Sequence, residues 1–109
     1  MFTETEIQAL VNKIVQRIQP EKVIVFGSYA KGTATYKSDL DLFVIKDTYL
    51  PPSSRALEVR PLLSQLLLKV DVHVYTPEEV EVYIAEQYSF VYSVMKTGKV
   101  WYDKSKAAV

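Results

Sequence analysis

The run Leu40 to Ile45 (LDLFVI), entered through Ser38-Asp39, sets two aspartates two residues apart among strong strand formers. Successive side chains of a strand point to opposite faces, so Asp39, Asp41 and Phe43 share one face while Leu40, Leu42 and Val44 share the other. The two carboxylates then project together, about 6.5–7 Å apart at the backbone. Asp is depleted from strands, and like charges this close repel and raise each other's pKa. Such a pair is either a solvated strand edge or a site that waits for a counter-cation.

Two further runs read as strands. Lys22 to Phe26 (KVIVF) is β-branched and passes straight into Gly27-Ser28. Val70 to Tyr75 (VDVHVY) alternates, with Val70, Val72 and Val74 inward and Asp71, His73 and Tyr75 on the opposite face. Around them lie helical signals. Ile7, Leu10, Val11, Ile14, Val15 and Ile18 form one apolar stripe, with a Thr3/Glu6 capping box before it and Pro20 as the stop. A second helix is expected from Ser53 or Ser54 to about Leu68, with Leu57, Leu63, Leu66 and Leu67 on or near its apolar side. Pro61 fits that helix poorly and either kinks it or delays its start. Thr76-Pro77-Glu78-Glu79 is a strong helix start. The stripe Val80, Ile84, Tyr88, Val91 and Met95 follows, through a break near Ser89, and Gly98 serves as C-terminal cap. Val100 to Tyr102 reads as a short last strand. The order αβ(loop)βαβα gives an α/β (α+β) domain, a small sheet flanked by helices.

The 109 residues fit one domain, 1–109, with 49% apolar residues for a modest core. Thirteen basic and thirteen acidic residues leave zero net charge. A protein that grips nucleic acid through its backbone carries a basic excess, and the longest basic cluster here is Lys104 and Lys106. A single nucleotide remains a suitable ligand, because a metal ion can supply the positive charge. Without cysteine there is no disulfide, Cys-ligated zinc or thiol nucleophile. No apolar run approaches the ~20 residues of a membrane span, and the acidic, amphipathic MFTETEIQAL is neither signal nor transit peptide. A cytoplasmic chain without membrane attachment is the expectation.

Chemistry concentrates at two places. Gly27-Ser28-Tyr29-Ala30-Lys31-Gly32 follows a strand, where glycine lets the backbone turn tightly and lets amides approach a phosphate. Taken alone it is an ordinary strand-to-helix turn. It is not a P-loop, since the Lys-Ser/Thr pair is missing, and it lacks the dinucleotide glycine spacing. The second place is the Asp39/Asp41 pair, whose repulsion two divalent metals ~3.5–4 Å apart would relieve by bridging carboxylate and phosphate oxygens. Mg²⁺ suits such a site. If the strands are neighbours, Asp71 completes a three-acid cluster able to bind metal and to take a proton from an attacking hydroxyl.

Gly27-Ser28, ten intervening residues, Asp39-x-Asp41 and a later strand aspartate, Asp71, resemble the nucleotidyltransferase superfamily of DNA polymerase beta type. The small size and the run GSYAKGTATYKSDLDLFVI are most similar to its minimal, MntA-like subgroup, and the likeness extends from Val23 to the terminal GKVWYD. The resemblance implies a mixed sheet flanked by helices. It implies Gly27 and Ser28 on the triphosphate, Asp39 and Asp41 on two Mg²⁺ ions, and Asp71 as third carboxylate and base. Lys31 stands where the family often has a basic residue, and reads equally as a phosphate contact or a solvated loop lysine. The reaction implied is attack by an acceptor hydroxyl on the α-phosphate of ATP, with release of pyrophosphate. Larger relatives hold the acceptor on further domains, so here another subunit or protein is expected to hold it. The subgroup's antitoxins act on a tyrosine of a HEPN-type partner toxin.

Two other functions fit the same residues: a binding module that neutralises a HEPN partner by contact, and a small-molecule nucleotidyltransferase subunit of the antibiotic-modifying kind. His73 reads first as a hydrogen-bonded sheet histidine and second as a nucleotide contact. Tyr83, Tyr88, Phe90, Tyr92, Trp101 and Tyr102 exceed what a small core easily buries. Part of that surplus suits a partner surface, including a homo-oligomer. Arg55, Arg60 and Lys69 suit either screening of an acidic site or pairing with acids on the surface, and are assigned no role.

Overall fold

In the computed structural model, which describes residues 1–66 and 69–107, helix α1 spans Glu4–Ile18 and strand β1 Lys22–Phe26. A single turn, α2 (Ser28–Lys31), leads through a loop to β2 (Leu40–Ile45). Three short pieces follow: α3 (Pro52–Arg55), a 3₁₀ turn (Ala56–Glu58) and α4 (Arg60–Leu63). Strand β3 (Val70–Tyr75), α5 (Pro77–Ile84), α6 (Phe90–Thr97), β4 (Lys99–Asp103) and α7 (Lys104–Ala107) complete the order.

The four strands form one mixed sheet in the order β3-β2-β1-β4. β1 is antiparallel to both β2 and β4, whereas β2 and β3 run parallel. A parallel pair needs a crossover of about a dozen residues or more, and the segment between Ile45 and Val70 supplies it. Thr3 and Glu6 make the expected capping box, and Ile7, Leu10, Val11, Ile14 and Ile18 of α1 are buried. They pack on Val23, Val25, Leu40, Leu42 and Val44, with Val59 completing this larger core. The opposite face holds a second cluster, in which Ile24, Phe43 and Ile45 meet Val80 of α5 and Val91 and Val94 of α6. The result is helices on both faces of the sheet, an α+β domain as expected.

Two expectations need correction. The helix foreseen from Ser53 to Leu68 is broken into pieces that end by Leu63, and Leu67 and Leu68 lie outside the described residues. Pro61 is the reason, since it cannot donate to the turn before it and its ring crowds that turn's carbonyl. It sits instead in the first turn of α4, where its missing N–H costs nothing. Leu57 is correspondingly exposed, and Val59 is the residue fully enclosed. The later stripe breaks at Ser89 as expected, Ser89 capping α6 by accepting from the Tyr92 amide, but Ile84 and Tyr88 are exposed and not part of the apolar face. Gly98 does cap α6, donating to Val94 O, but in an extended conformation. Its missing Cβ is what lets the chain pass against Ile24.

The aromatic surplus divides. Trp101 and Tyr102 pack against the larger core, while Tyr83, Tyr88 and Phe90 are exposed and Tyr92 is half-buried. Among the described residues no helix is long and apolar enough to cross a membrane.

Candidate active site

β1 ends at Gly27, whose backbone stands at φ 73° and ψ −149°, a region essentially reserved for glycine. A Cβ on Gly27 would overlap Asp41 Oδ2. The missing side chain therefore serves twice, allowing the turn and leaving room for the carboxylate. The turn is well anchored. The amides of Ala30 and Lys31 both donate to Gly27 O at 3.1 Å, and Ala30 is buried. Tyr29 Oη accepts from the Phe2 amide at 2.9 Å, with the two rings edge to face. The first amides of a helical turn have no partner within it, so Ser28 and Tyr29 present theirs at the mouth of α2, one residue beyond Gly27.

Strand register assembles the acids. Asp41 is paired with Asp71 across the parallel β2–β3 ladder and with Phe26 across the antiparallel β1–β2 ladder. Phe26, Asp41 and Asp71 thus form one row across three strands. Asp39 falls just before β2, which begins at Leu40, so it stands at the strand's mouth instead of within it. It still belongs to the group, because the charge of Asp39 adds to that of Asp71 at Asp41. Partial burial first, then Asp71, then Asp39 raise the Asp41 carboxyl above its usual value, and His73 and Lys69 offset this only in part.

Lys69, left without an assigned role in the sequence, joins the site as the screening cation. Its Nζ lies 3.7 Å from Asp39 Oδ2 and 4.0 Å from Asp71 Oδ1. The lysine side chain is 70% exposed, so this is a loose pairing of the kind that contributes little energy. A signal existed: with the acids of two parallel strands set side by side, Lys69 falls opposite Asp39 just as Asp71 falls opposite Asp41. Lys31, by contrast, is exposed at the end of α2 and makes no ion pair among the described residues. His73 has aromatic neighbours in place of the expected hydrogen bond. Its ring centroid is 5.7 Å from that of Phe26 and 5.2 Å from that of Phe90.

Among the described residues no three His, Asp or Glu side chains close into a preformed metal cage. The donor set nevertheless fits a hard divalent cation, which takes carboxylate oxygens and completes its shell with water and phosphate. Three carboxylates here stand against one exposed lysine, Lys69, which pairs loosely with Asp39 and Asp71. Chemically, the row offers carboxylates for a cation, a carboxylate at its open edge for a proton, and beside them a glycine turn with free amides for a phosphate.

Comparison with known proteins agrees. Residues 7–97 match the family model described as a nucleotidyltransferase domain. Two Methanocaldococcus jannaschii proteins, each named "putative protein adenylyltransferase", are similar to the chain. One is 34% identical over 98 residues, covering 88% of this chain and 90% of the relative. The other is 36% identical over 78 residues, covering 66% and 78%. A Sulfolobus solfataricus structure described as a "putative nucleotidyltransferase" superposes with a TM-score of 0.65 at 19% identity, covering 92% of this chain and 79% of the other. A toxin–antitoxin structure with AMP-PNP gives 0.63 at 23% identity, covering 92% and 76%. A variant of the MntA–HpeT toxin–antitoxin gives 0.58 at 23%, covering 98% and 77%. The structural likenesses show a shared fold, and with the family model spanning most of its length the chain belongs to the nucleotidyltransferase-domain family.

Proposed function

We propose that the chain, as a single domain over 1–109, transfers AMP from ATP to a hydroxyl of a partner protein, a tyrosine of a HEPN-type toxin, and so acts as an antitoxin. The observation that carries this reading is the Asp41–Asp71 register beside Gly27: two carboxylates side by side at the one place where the missing Cβ leaves room. The relatives named as protein adenylyltransferases support protein as the acceptor class. The toxin–antitoxin neighbours, one with AMP-PNP, support a toxin partner and an adenine nucleotide.

In this reading Gly27 and Ser28 hold the triphosphate, and Asp39, Asp41 and Asp71 would hold Mg²⁺, two ions as the family resemblance implies. Bound there, the cations would neutralise phosphate charge and acidify the attacking hydroxyl. The chain's own part is positioning and proton transfer. Asp71, at the open edge of the row, takes the proton as the acceptor oxygen bonds to the α-phosphorus. The bond from that phosphorus to the bridging oxygen of the β-phosphate breaks, and pyrophosphate leaves with the electron pair. Lys69 shifts from the acids toward solvent or phosphate when cations arrive, which its exposure permits.

The test mixes the purified chain with Mg²⁺, each labelled triphosphate in turn and the product of the adjacent reading frame, following label and intact mass. AMP added to the partner by wild type and lost in Asp41→Asn is the expected result. A stable complex formed equally by both proteins, with no transfer from any triphosphate, would replace it with neutralisation by contact. Nucleotide consumed with no mass change on protein would point to a small-molecule acceptor.

A further inference from the structure

We propose that Phe26, His73 and Phe90 form a stacking wall for the nucleobase of the bound triphosphate, supplying affinity without reading which base it is. The inference rests on the reading that the acid row handles a nucleoside triphosphate, and adds the part of that ligand the row cannot hold. Phe26 is the cross-strand neighbour of Asp41. His73 lies two residues beyond Asp71 on the same strand face, about 7 Å along it. Phe90 is the first residue of α6, one of the two helices that cover this face. The three rings close a triangle, with centroids 5.7 Å apart for Phe26–His73, 5.4 Å for Phe26–Phe90 and 5.2 Å for His73–Phe90.

Core packing accounts for part of this cluster, since Phe26 packs against the second core and Phe90 lies 6.1 Å from Phe43, but it leaves ring surface in solvent. The ring that completes the core on this face is Phe43, which is fully enclosed, whereas Phe90 is 41% exposed and His73 is exposed as well. His73 has no side-chain hydrogen bond among the described residues, so neighbouring rings alone hold it. Glycine amides, carboxylates and cations attend to the charged part of a nucleoside triphosphate. What they leave is a flat ring with apolar faces, and beside the row the three rings, tilted 52–78° to one another, offer an exposed ring face on which it can stack. Base–aromatic stacking tolerates any base because every base has a π-face. The wall therefore predicts similar gains for adenine and guanine nucleotides.

The experiment measures binding of non-hydrolysable ATP and GTP analogues and of inorganic tripolyphosphate, each with Mg²⁺, to the full chain by calorimetry. His73→Ala is compared with Phe90→Leu, which keeps apolar volume under α6; far-ultraviolet circular dichroism checks the fold. Each variant is expected to weaken both nucleotides about 5- to 100-fold while tripolyphosphate stays within about twofold. Unchanged nucleotide affinity in both variants, with tripolyphosphate still bound, would overturn the wall and leave the transfer reading standing. So would a rise in KM for the acceptor alone, which would give the rings to the incoming tyrosine. Equal loss of all three ligands would mark the rings as structural. Wild type binding none of them would remove the transfer reading and the wall together.

Discussion

Two rows of side chains on one face of the sheet lie two residues apart along the strands and meet opposite conditions. Ile24, Phe43 and His73 make one row, and the first two are roofed by Val80, Val91 and Val94 of α5 and α6. Phe26, Asp41 and Asp71 make the next, where the roof reaches only Phe26, through Phe90 and the second core. Charges follow the same division. Near the roof, Arg55 Nη1 meets Glu79 Oε1 at 2.6 Å and also donates to Val74 O, with the arginine side chain only 9% exposed. At the bare end three aspartates face one exposed lysine. Burial next to the helices is compensated, while the acid row is left with a surplus of negative charge that a cation or a proton relieves.

The sharpest way to break this contrast is to empty the roofed row. Phe43→Ala should cost about 3–5 kcal/mol in urea denaturation, since it removes a fully buried ring. Asp71→Ala in the bare row should leave stability unchanged or raised in metal-free buffer; a comparable loss would make the acids structural. Glycine offers a second contrast, because Gly27 and Gly32 both sit at φ 73°. Gly27→Ala should cost roughly 1–3 kcal/mol and reduce transfer at least ~100-fold, by strain and by displacing Asp41. Gly32→Ala meets no atom within 4 Å, and should cost about 1 kcal/mol with transfer kept.

Electrostatics sharpens the comparison through pH. Burial pushes the Glu79 carboxyl up, but hydrogen bonds from Arg55 and Thr76 outweigh it and hold Glu79 below its ordinary 4.5. The unfolded chain then binds more protons in that window, so this stabilisation is complete above pH 4.5 and is lost as pH falls through the lower native value. Glu79→Gln should cost roughly 1–3 kcal/mol at neutral pH, leaving Arg55 without its anion, and progressively less in acid. Asp41 has the opposite sign. Its raised carboxyl makes the native state bind more protons above the ordinary 3.8, so its contribution to stability falls as pH rises through that window. Asp41→Asn should flatten that slope, as pH-dependent thermal melts in EDTA would show.

Much of this organisation was legible in the chain itself. The capping boxes at Thr3 and Thr76 and the alternation of VDVHVY are local signals, and local backbone chemistry carries them into the fold unchanged. The glycine turn and the aspartate pair were legible for the same reason. Whether Asp71 joins them depends on β3 lying parallel and in register with β2, a non-local fact that no periodicity encodes. Lys69 could be read only as a general partner for acids on that account, since which acids it meets depends on the residue opposite. The break at Pro61 was visible but its consequence was not, because tertiary packing chose Val59 over Leu57 for the core. The same alternation also left open which polar-face residues become core, and only the reach of α5 and α6 separates Phe43 from Asp41.

The most direct measurement is the urea stability of wild type and Asp41→Asn at neutral pH, in EDTA and again with Mg²⁺ and a non-hydrolysable ATP analogue. If the acid row is a frustrated site completed by cation and nucleotide, the variant is the more stable protein in EDTA. The order then reverses when the ligands are added, because only wild type binds them well and gains stability by linkage. Wild type equal to or more stable than the variant in EDTA, with no gain from the ligands, would contradict the account.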